Sequence, residues 1–401
     1  MGYCMRLKTA LALASAMTAI VGASSATALT IELRNTGGAE VGTQARAGFE
    51  VAAHFWEKVI TNDVSVKFNV GFQQLGAGIL GSTGSTTNVA YVGNVFPALQ
   101  GAGNSALDAI VAANLPTTRA SPFIGGEAID ALVSGAKSNG TGVQTPLTTR
   151  LDNDASGNNS AFSANTSLLK ALGITPTYTG ANAAIQADGS ITFSNQFAFD
   201  FDPTDGIDAT SFDFVGVAIH EIGHALGFRS GVDVYDANSN FAGNLNDFAI
   251  MSIWDIFRYS DQSIALGVND WRIGGTPYFS IDGQTMYGAD SRFSTGATLG
   301  NGRQASHWLD SAAGQPQLGI LDPTSARGQQ QEITSLDLAA YDAMGWNIAF
   351  DVMAQDHRRF STANAHSAGI PEPATWALMI GGFFGLGGAL RRRSAQARAA
   401  A

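Results

Sequence analysis

Two histidines and a glutamate have a spacing that suits metal-assisted hydrolysis. His220 and His224 are four positions apart, and Glu221 directly follows the first of them. Residues four apart on a helix lie one above the other, so both imidazoles can occupy adjacent corners of a tetrahedral zinc site. Zinc lowers the pKa of a bound water from about 15.7 to about 7, and Glu221 can take its proton as general base. The triplet therefore predicts a zinc hydrolase centre.

The surrounding segment has the pattern of a buried helix over residues 212–226. Gly227 suits the left-handed turn that ends a helix sharply just after the second histidine. A chance occurrence of the motif in an ordinary helix is the alternative, and the apolar setting with its glycine stop favours the catalytic interpretation. The apolar positions are Val215, Ala218, Ile219, Ile222 and Ala225.

A catalytic zinc site needs a third protein ligand, and the sequence leaves two candidates. In peptidases with the extended motif HExxHxxGxxH the third histidine would fall at Ser230, which is a poor ligand. Asp233 follows shortly after, and His307 lies 83 positions beyond His224. We expect the other histidines to be solvated, on a polar helix face or in a linker: His54, His357 and His366.

Several of these segments together resemble the leishmanolysin branch of the metzincin zinc peptidases. The matching stretches are HEIGHALGF at 220–228, Ser-His-Trp at 306–308 and the turn Gly-Ile-Leu-Asp-Pro at 319–323. That branch has a long insertion between its second and third histidines. The resemblance implies a protein or peptide substrate, with His220, His224 and His307 as zinc ligands and Glu221 as base.

The same resemblance implies a fold, an α+β metzincin-like zincin, within one catalytic domain of residues 29–350. An N-terminal twisted mixed sheet with helices would pack on the zinc helix, and an irregular C-terminal subdomain would bring in His307. A Met-turn-like loop and a closing helix at 333–344 would complete the domain, with Ser335 as the helix cap. Leu321 stands where that family has methionine.

Periodicity predicts the remaining elements of the domain. Apolar residues recur at helical spacing over 44–60, and alternation predicts strands at 30–33, 64–70 and 191–201. Residues 134–165 are rich in Gly, Ser, Thr and Asn and are predicted to form a long surface loop. The GxGxxG match at 76–81 has no following helix pattern, which argues against a dinucleotide site.

Four aspartates lie at the end of the predicted strand at 191–201 and just after it, and clustered carboxylates of this kind are candidate ligands for structural calcium. Their spacing does not fit an EF-hand loop, and turns also use aspartate, so both interpretations stay open. The four are Asp200, Asp202, Asp205 and Asp208.

Both ends of the chain have the pattern of targeting segments. Residues 1–28 have the charged start, apolar run and small-residue cleavage site of a signal peptide. Residues 351–370 are predicted to be a linker. Residues 371–401 contain Pro-Glu-Pro, an uncharged run suited to a short transmembrane helix, and three arginines, and they closely resemble the PEP-CTERM sorting signal. This resemblance implies transient membrane anchoring, processing by an exosortase, and export to the envelope or extracellular matrix of a Gram-negative bacterium.

The charge and the cysteine content exclude some kinds of partner and some kinds of metal site. The chain carries a net charge of −11, and 32 acidic against 16 basic residues give −16 over residues 29–370. This charge argues against nucleic acid as a partner. The one cysteine is Cys4 in the predicted signal peptide, which excludes disulfides and thiolate metal sites from the exported part. An alternative hypothesis is a matrix or adhesion protein whose zinc site is structural or inactive.

Overall fold

The described chain combines helices with several small, separate sheets, so the fold is of the predicted α+β class. The computed structural model describes residues 28–123, 126–312 and 315–369. The helices are α1 (Gln44–Val59), α2 (Val92–Ala102), α3 (Ala106–Ala113), α4 (Gly157–Ser160), α5 (Thr166–Ala171), α6 (Asn182–Ile185), α7 (Phe214–Leu226), α8 (Val232–Ala237), α9 (Asp261–Ile264), α10 (Ser335–Ala343) and α11 (Thr362–Gly369). The strands are β1 (Thr30–Asn35), β2 (Ser65–Gln73), β3 (Gly81–Ser85), β4 (Thr87–Tyr91), β5 (Thr118–Ala120), β6 (Glu127–Ile129), β7 (Ala131–Ser134), β8 (Thr149–Asp152), β9 (Ala161–Asn165), β10 (Gly189–Ser194), β11 (Phe199–Asp200), β12 (Phe212–Asp213), β13 (Arg258–Tyr259), β14 (Asn269–Trp271), β15 (Tyr278–Phe279), β16 (Glu332–Thr334) and β17 (Arg359–Ser361).

A four-stranded mixed sheet in the order β1-β2-β10-β3 forms the N-terminal frame. β2 pairs in parallel with β1 and β10, whereas β3 runs antiparallel to β10 and forms one edge. Val66, Phe68 and Val70 are fully buried on one face of β2, as their alternation predicts. The predicted mixed sheet is therefore confirmed.

Helix α1 packs against α7 through its apolar stripe. Phe49 and Trp56 are fully buried, and the indole Nε1 of Trp56 donates to the backbone oxygen of Ile219 at 3.1 Å. The ring of Phe49 lies 5.2 Å from that of Phe214, at the start of α7. This contact fixes α7 on the sheet-and-helix frame, as predicted.

The prediction of a surface loop over residues 134–165 is wrong. This stretch contains β8, α4 and β9, and Asn158 and Asn159 are fully buried. The amide of Asn158 donates to Asp152 at 2.7 Å, and the amide of Asn159 donates to the backbone oxygen of Ile129 at 2.9 Å. Small polar residues are abundant here because they satisfy buried hydrogen-bonding groups, which composition alone does not distinguish from solvation.

Three boundaries also differ from the predictions. The strand predicted over 191–201 is two strands, β10 and β11, separated by a turn. Thr334 caps α10 in place of Ser335, because its hydroxyl accepts from the N–H of Asp337 in a capping box. Part of the predicted linker is folded: β17 pairs with β16, and the buried hydroxyl of Thr362 donates to Asp213 at 2.6 Å.

The C-terminal half is irregular, as predicted, and is organised by aromatic packing. Trp254 and Trp308 are buried, and their ring centroids lie 5.8 Å apart. Phe293 stacks on Trp308 at 5.3 Å, and Phe228 brings the end of the α7 segment to within 4.9 Å of the same indole. This cluster holds the segment that contains His307 against α7.

The predicted signal peptide, apart from Ala28, and the predicted sorting segment lie outside the described residues. Within the described ranges, no helix is both long enough and apolar enough to cross a membrane.

One buried carboxyl makes stability depend on pH. Burial, and then the neighbouring charges of Asp108 and Asp351, raise the pKa of Asp342 to about 7. The folded carboxyl thus holds its proton more tightly than the unfolded one, so its contribution to stability is greatest below about pH 4 and is lost as pH rises through about 7.

We expect Asp342→Asn, which mimics the protonated form, to remove this dependence. Between pH 5.5 and pH 8 the free energy of unfolding of the wild type should fall by about 2 kcal/mol more than that of the variant. Urea denaturation at the two pH values measures both. Parallel pH profiles for the two proteins would contradict the assignment.

Candidate metal centre

Helix α7 is held at both ends, which fixes the spacing of its histidines. At its start the carboxylate of Asp213 accepts from the N–H of Gly216 at 2.9 Å. At its end Gly227 has φ of 133°, a conformation that favours glycine. The last carbonyls are satisfied by side chains, since Asn165 donates to His224 O at 3.0 Å and Trp346 donates to Leu226 O at 2.9 Å.

Three imidazoles meet at the cleft face of α7. The Nε2 atom of His224 lies 3.0 Å from that of His220 and 3.2 Å from that of His307, and the third Nε2–Nε2 distance is 3.3 Å. A tetrahedral site with zinc–nitrogen bonds of 2.0–2.1 Å has ligand–ligand distances of about 3.3–3.4 Å. The three nitrogens therefore fit one face of such a site to within about 0.4 Å.

The opposite ring nitrogens determine the tautomers. His220 Nδ1 lies 2.7 Å from Ile320 O, His224 Nδ1 lies 2.7 Å from Phe228 O, and His307 Nδ1 lies 3.2 Å from Gln304 O. A backbone carbonyl only accepts, so each Nδ1 carries the proton and each Nε2 presents a lone pair.

Burial keeps these rings neutral. It lowers the pKa of His220 and of His224 to about 4, and it lowers the pKa of His307 well below its ordinary value. Three neutral imidazoles then direct lone pairs at one point, an arrangement that repels unless a cation lies there. The donor set consists of nitrogen, which suits zinc.

The structure distinguishes the two candidates for the third ligand. Within the described residues, His220, His224 and His307 form a group whose ligand atoms lie within 4.8 Å of one another. Asp233 has another role, because its carboxylate accepts from the N–H of Ala305 at 2.6 Å and from the N–H of Ser306 at 3.0 Å. Asp233 thus positions the segment that presents His307.

Ser230 lies where the extended motif would have its third histidine, and it contacts the same segment. Its N–H donates to the hydroxyl of Ser306 at 2.8 Å. Ser230 is therefore not a ligand. Its hydrogen bond to Ser306 holds the residue next to His307 close to the end of α7.

A buried turn at 319–322 supports His220 from below. The Asp337 carboxylate accepts from the N–H of Ile320 at 2.9 Å and from the indole of Trp308 at 2.9 Å. Leu321 is fully buried and packs against α7 at Gly223. A Cβ placed on Gly223 would lie 3.5 Å from Leu321 Cδ2. One carboxylate thus fixes the turn beneath the first ligand and the residue next to the third.

Glu221 lies between the histidines and the sheet edge. Its Oε2 accepts from the hydroxyl of Thr83, on β3, at 2.6 Å. The residue is 7% exposed, and burial raises the pKa of its carboxyl. A carboxylate held in this environment is a stronger base than one in water, as a group that accepts a proton requires.

A cleft of about 640 Å³ contains all four of these side chains. Residues Gly78–Thr83 line one side of the cleft, and β3 has β10 as its neighbour in the sheet, which leaves its other edge towards the cleft. Pro323, Thr324 and Ser325 line another part.

The remaining predicted residues lie elsewhere. Asp200 and Asp202 accept from backbone amides of their own turn, with Asp200 Oδ2 2.9 Å from the N–H of Asp208. No group of three acidic or histidine ligands is found there within the described residues, so calcium binding stays a prediction. His54 and His357 are exposed, as predicted, and His366 is partly buried on α11.

Sequence reasoning missed Thr83 and Asp337. Thr83 belongs to a Ser/Thr/Gly run with no distinctive pattern, so nothing local indicates its contact with Glu221. Asp337 does have a local signal, because Thr334-x-x-Asp337 is a capping box, but its contacts with Trp308 and the 319–322 turn are not visible in sequence.

Comparison with known protein families, with curated proteins and with solved structures finds no match to this chain.

Zinc affinity separates a ligand from a positioning residue. We expect His307→Ala to weaken zinc binding by more than about 100-fold, and Asp233→Asn to weaken it by about 10- to 100-fold, the range for residues that orient a ligand. Competition with a chromophoric chelator measures both, and His54→Ala is the matched control. A larger loss in Asp233→Asn than in His307→Ala would contradict this assignment.

Proposed function

We propose that this protein is a secreted zinc-dependent endopeptidase that hydrolyses peptide bonds with Glu221 as general base. The convergence of three Nε2 lone pairs beside a buried carboxylate carries the proposal. This is the donor set of a catalytic zinc site, three protein ligands and an open position.

The residues divide the chemistry between them. His220, His224 and His307 would hold zinc, which when bound supplies Lewis-acid activation of water and of the scissile carbonyl. Glu221 accepts the proton of the attacking water and passes it to the leaving amine. The Thr83 hydroxyl keeps the carboxylate oriented towards the cleft.

The shape of the cleft supports a protein or peptide substrate. β3 presents a strand edge beside Glu221. A Cβ placed on Gly81 would lie only 2.9 Å from Glu221 Oε1, so the strand approaches the carboxylate closely at this glycine. An extended peptide that adds to this edge would be held by main-chain hydrogen bonds, with its scissile bond next to the histidines.

The turn and helix near the site support a metzincin-like zincin of the leishmanolysin branch. In a fold of that branch, the 319–322 turn below His220 would correspond to the methionine turn. The buried Leu321 side chain has a volume similar to that of the methionine it would replace. The predicted signal and sorting segments support export to the cell envelope or outer surface, with exosortase-type machinery as a partner.

A matrix or adhesion protein with a structural or inactive zinc site is the second candidate. A structural site is closed by four protein ligands, whereas the group found in the described residues has three. Leu321 at the position of the family methionine is the observation that favours an inactive relative.

Cleavage of an unfolded protein substrate by the zinc-loaded protein tests the proposal. We expect chelation to abolish cleavage and added zinc to restore it. Glu221→Gln should slow cleavage by about 10²- to 10⁴-fold with zinc still bound, because the general base is lost. Glu50→Gln, on the exposed face of α1, is the matched control and should cleave like the wild type.

A zinc-loaded, folded wild type that cleaves nothing would contradict the proposal and support the structural alternative. Undiminished cleavage by Glu221→Gln would refute only the role of Glu221 as general base and would leave the zinc-dependent peptidase proposal standing.

A further inference from the structure

Gln331 is buried beside the first turn of α7, and its backbone is fixed there. The residue is 4% exposed. Its N–H donates to Asp213 Oδ2 at 3.1 Å, and its carbonyl accepts from the N–H of Thr362 at 3.1 Å. Asp213 also caps α7, so the position of Gln331 relative to the helix is set by the same carboxylate.

The side chain of Gln331 packs on Gly216. A Cβ placed on Gly216 would lie 2.8 Å from Gln331 Oε1 and 2.9 Å from its Cβ, so this contact requires glycine. Gly216, His220 and His224 are spaced four apart and share one face of α7. The amide of Gln331 therefore lies about one helical turn, on the order of 5 Å along the axis, from the first histidine.

Among the described residues, none hydrogen-bonds to this side-chain amide. It lines the cleft, although the residue is almost completely buried. Ser325, which lines the same cleft, has a buried hydroxyl oxygen that is also without a partner in the described structure. The Gln331 amide is open to the cleft, so a ligand that fills this part of the cleft must hydrogen-bond to it or leave it unpaired, at a cost in binding free energy.

The part of the cleft wall that contains this amide is uncharged, since the Asp213 carboxylate, which accepts from the Gln331 N–H, does not line the cleft. The cleft residues beyond His220 on this side are Val217, Pro323, Thr324, Ser325 and Gln331. A carboxamide both donates and accepts, as does a hydroxyl, so the matching ligand group is uncharged and polar.

We propose that Gln331 forms a specificity subsite that selects an uncharged polar side chain, a hydroxyl or carboxamide, next to the scissile bond. The inference rests on the proposed peptidase function and names its substrate class. A substrate with an apolar side chain of the same shape would leave the Gln331 amide unpaired, and sites of this kind discriminate strongly against such analogues.

Peptide binding tests the subsite without requiring turnover. The full chain with Glu221→Gln, loaded with zinc, is titrated with acetyl-Ala-Ala-Ala-Xaa-Ala-Ala-Ala-amide and followed by ligand-observed NMR. Xaa is Thr or Val in one matched pair and Asn or Leu in the other. We expect the Thr and Asn peptides to bind about tenfold more tightly than their apolar partners.

Adding Gln331→Met should reduce this ratio to within about twofold, since the amide is lost at similar volume. Adding Gln330→Met is the matched control and should keep the tenfold ratio, because Gln330 Nε2 donates to the carbonyl of Pro203 and does not line the cleft.

Equal binding within each pair, tighter binding of Val or Leu, no binding of any peptide, or a ratio unchanged by Gln331→Met would overturn the inference. A zinc-loaded wild type that fails to cleave protein would refute the proposed function instead, and the binding ratio would still decide the role of Gln331.

Discussion

Three neutral imidazole lone pairs that point at one position repel each other, and the rest of this structure is arranged to hold them there. Backbone carbonyls accept hydrogen bonds from the Nδ1–H groups of His220, His224 and His307. Each Nε2 is then left with a lone pair that can coordinate a metal ion. Burial disfavours the imidazolium form, so protonation does not relieve the repulsion at neutral pH. A bound cation does relieve it.

Buried carboxylates supply the rigidity that this arrangement needs. Asp213 fixes the start of α7, Asp233 fixes the segment before His307, and Asp337 fixes the turn below His220. Each of them is satisfied by several donors, which offsets the cost of burying a charge. The three carboxylates therefore orient the three histidines, and none of them belongs to the three-histidine group.

The predictable part of the site is local in sequence. The spacing of His220 and His224, the apolar face of α7 and the stop at Gly227 follow from helical geometry, and all three are observed. The sequence leaves His307 and Asp233 as candidates for the third ligand, and the family resemblance favours His307. The structure shows why both residues matter, since Asp233 binds the backbone next to His307.

The unpredicted part depends on contacts between distant segments. The 134–165 stretch has the composition of a solvated loop, yet Asn165 caps the end of α7, and only the fold shows that its amide is buried. Gln331 is likewise an ordinary glutamine in sequence, and its position opposite Gly216 gives it a place in the cleft.

X-ray absorption at the zinc edge of the metal-loaded protein tests the central claim most directly. Three histidine ligands and one non-protein oxygen predict four nitrogen or oxygen scatterers at about 2.0–2.1 Å, with outer-shell scattering from three imidazole rings. Outer-shell scattering from two rings would contradict the assignment of His307. Scattering that requires a fourth protein ligand would contradict an open, catalytic site.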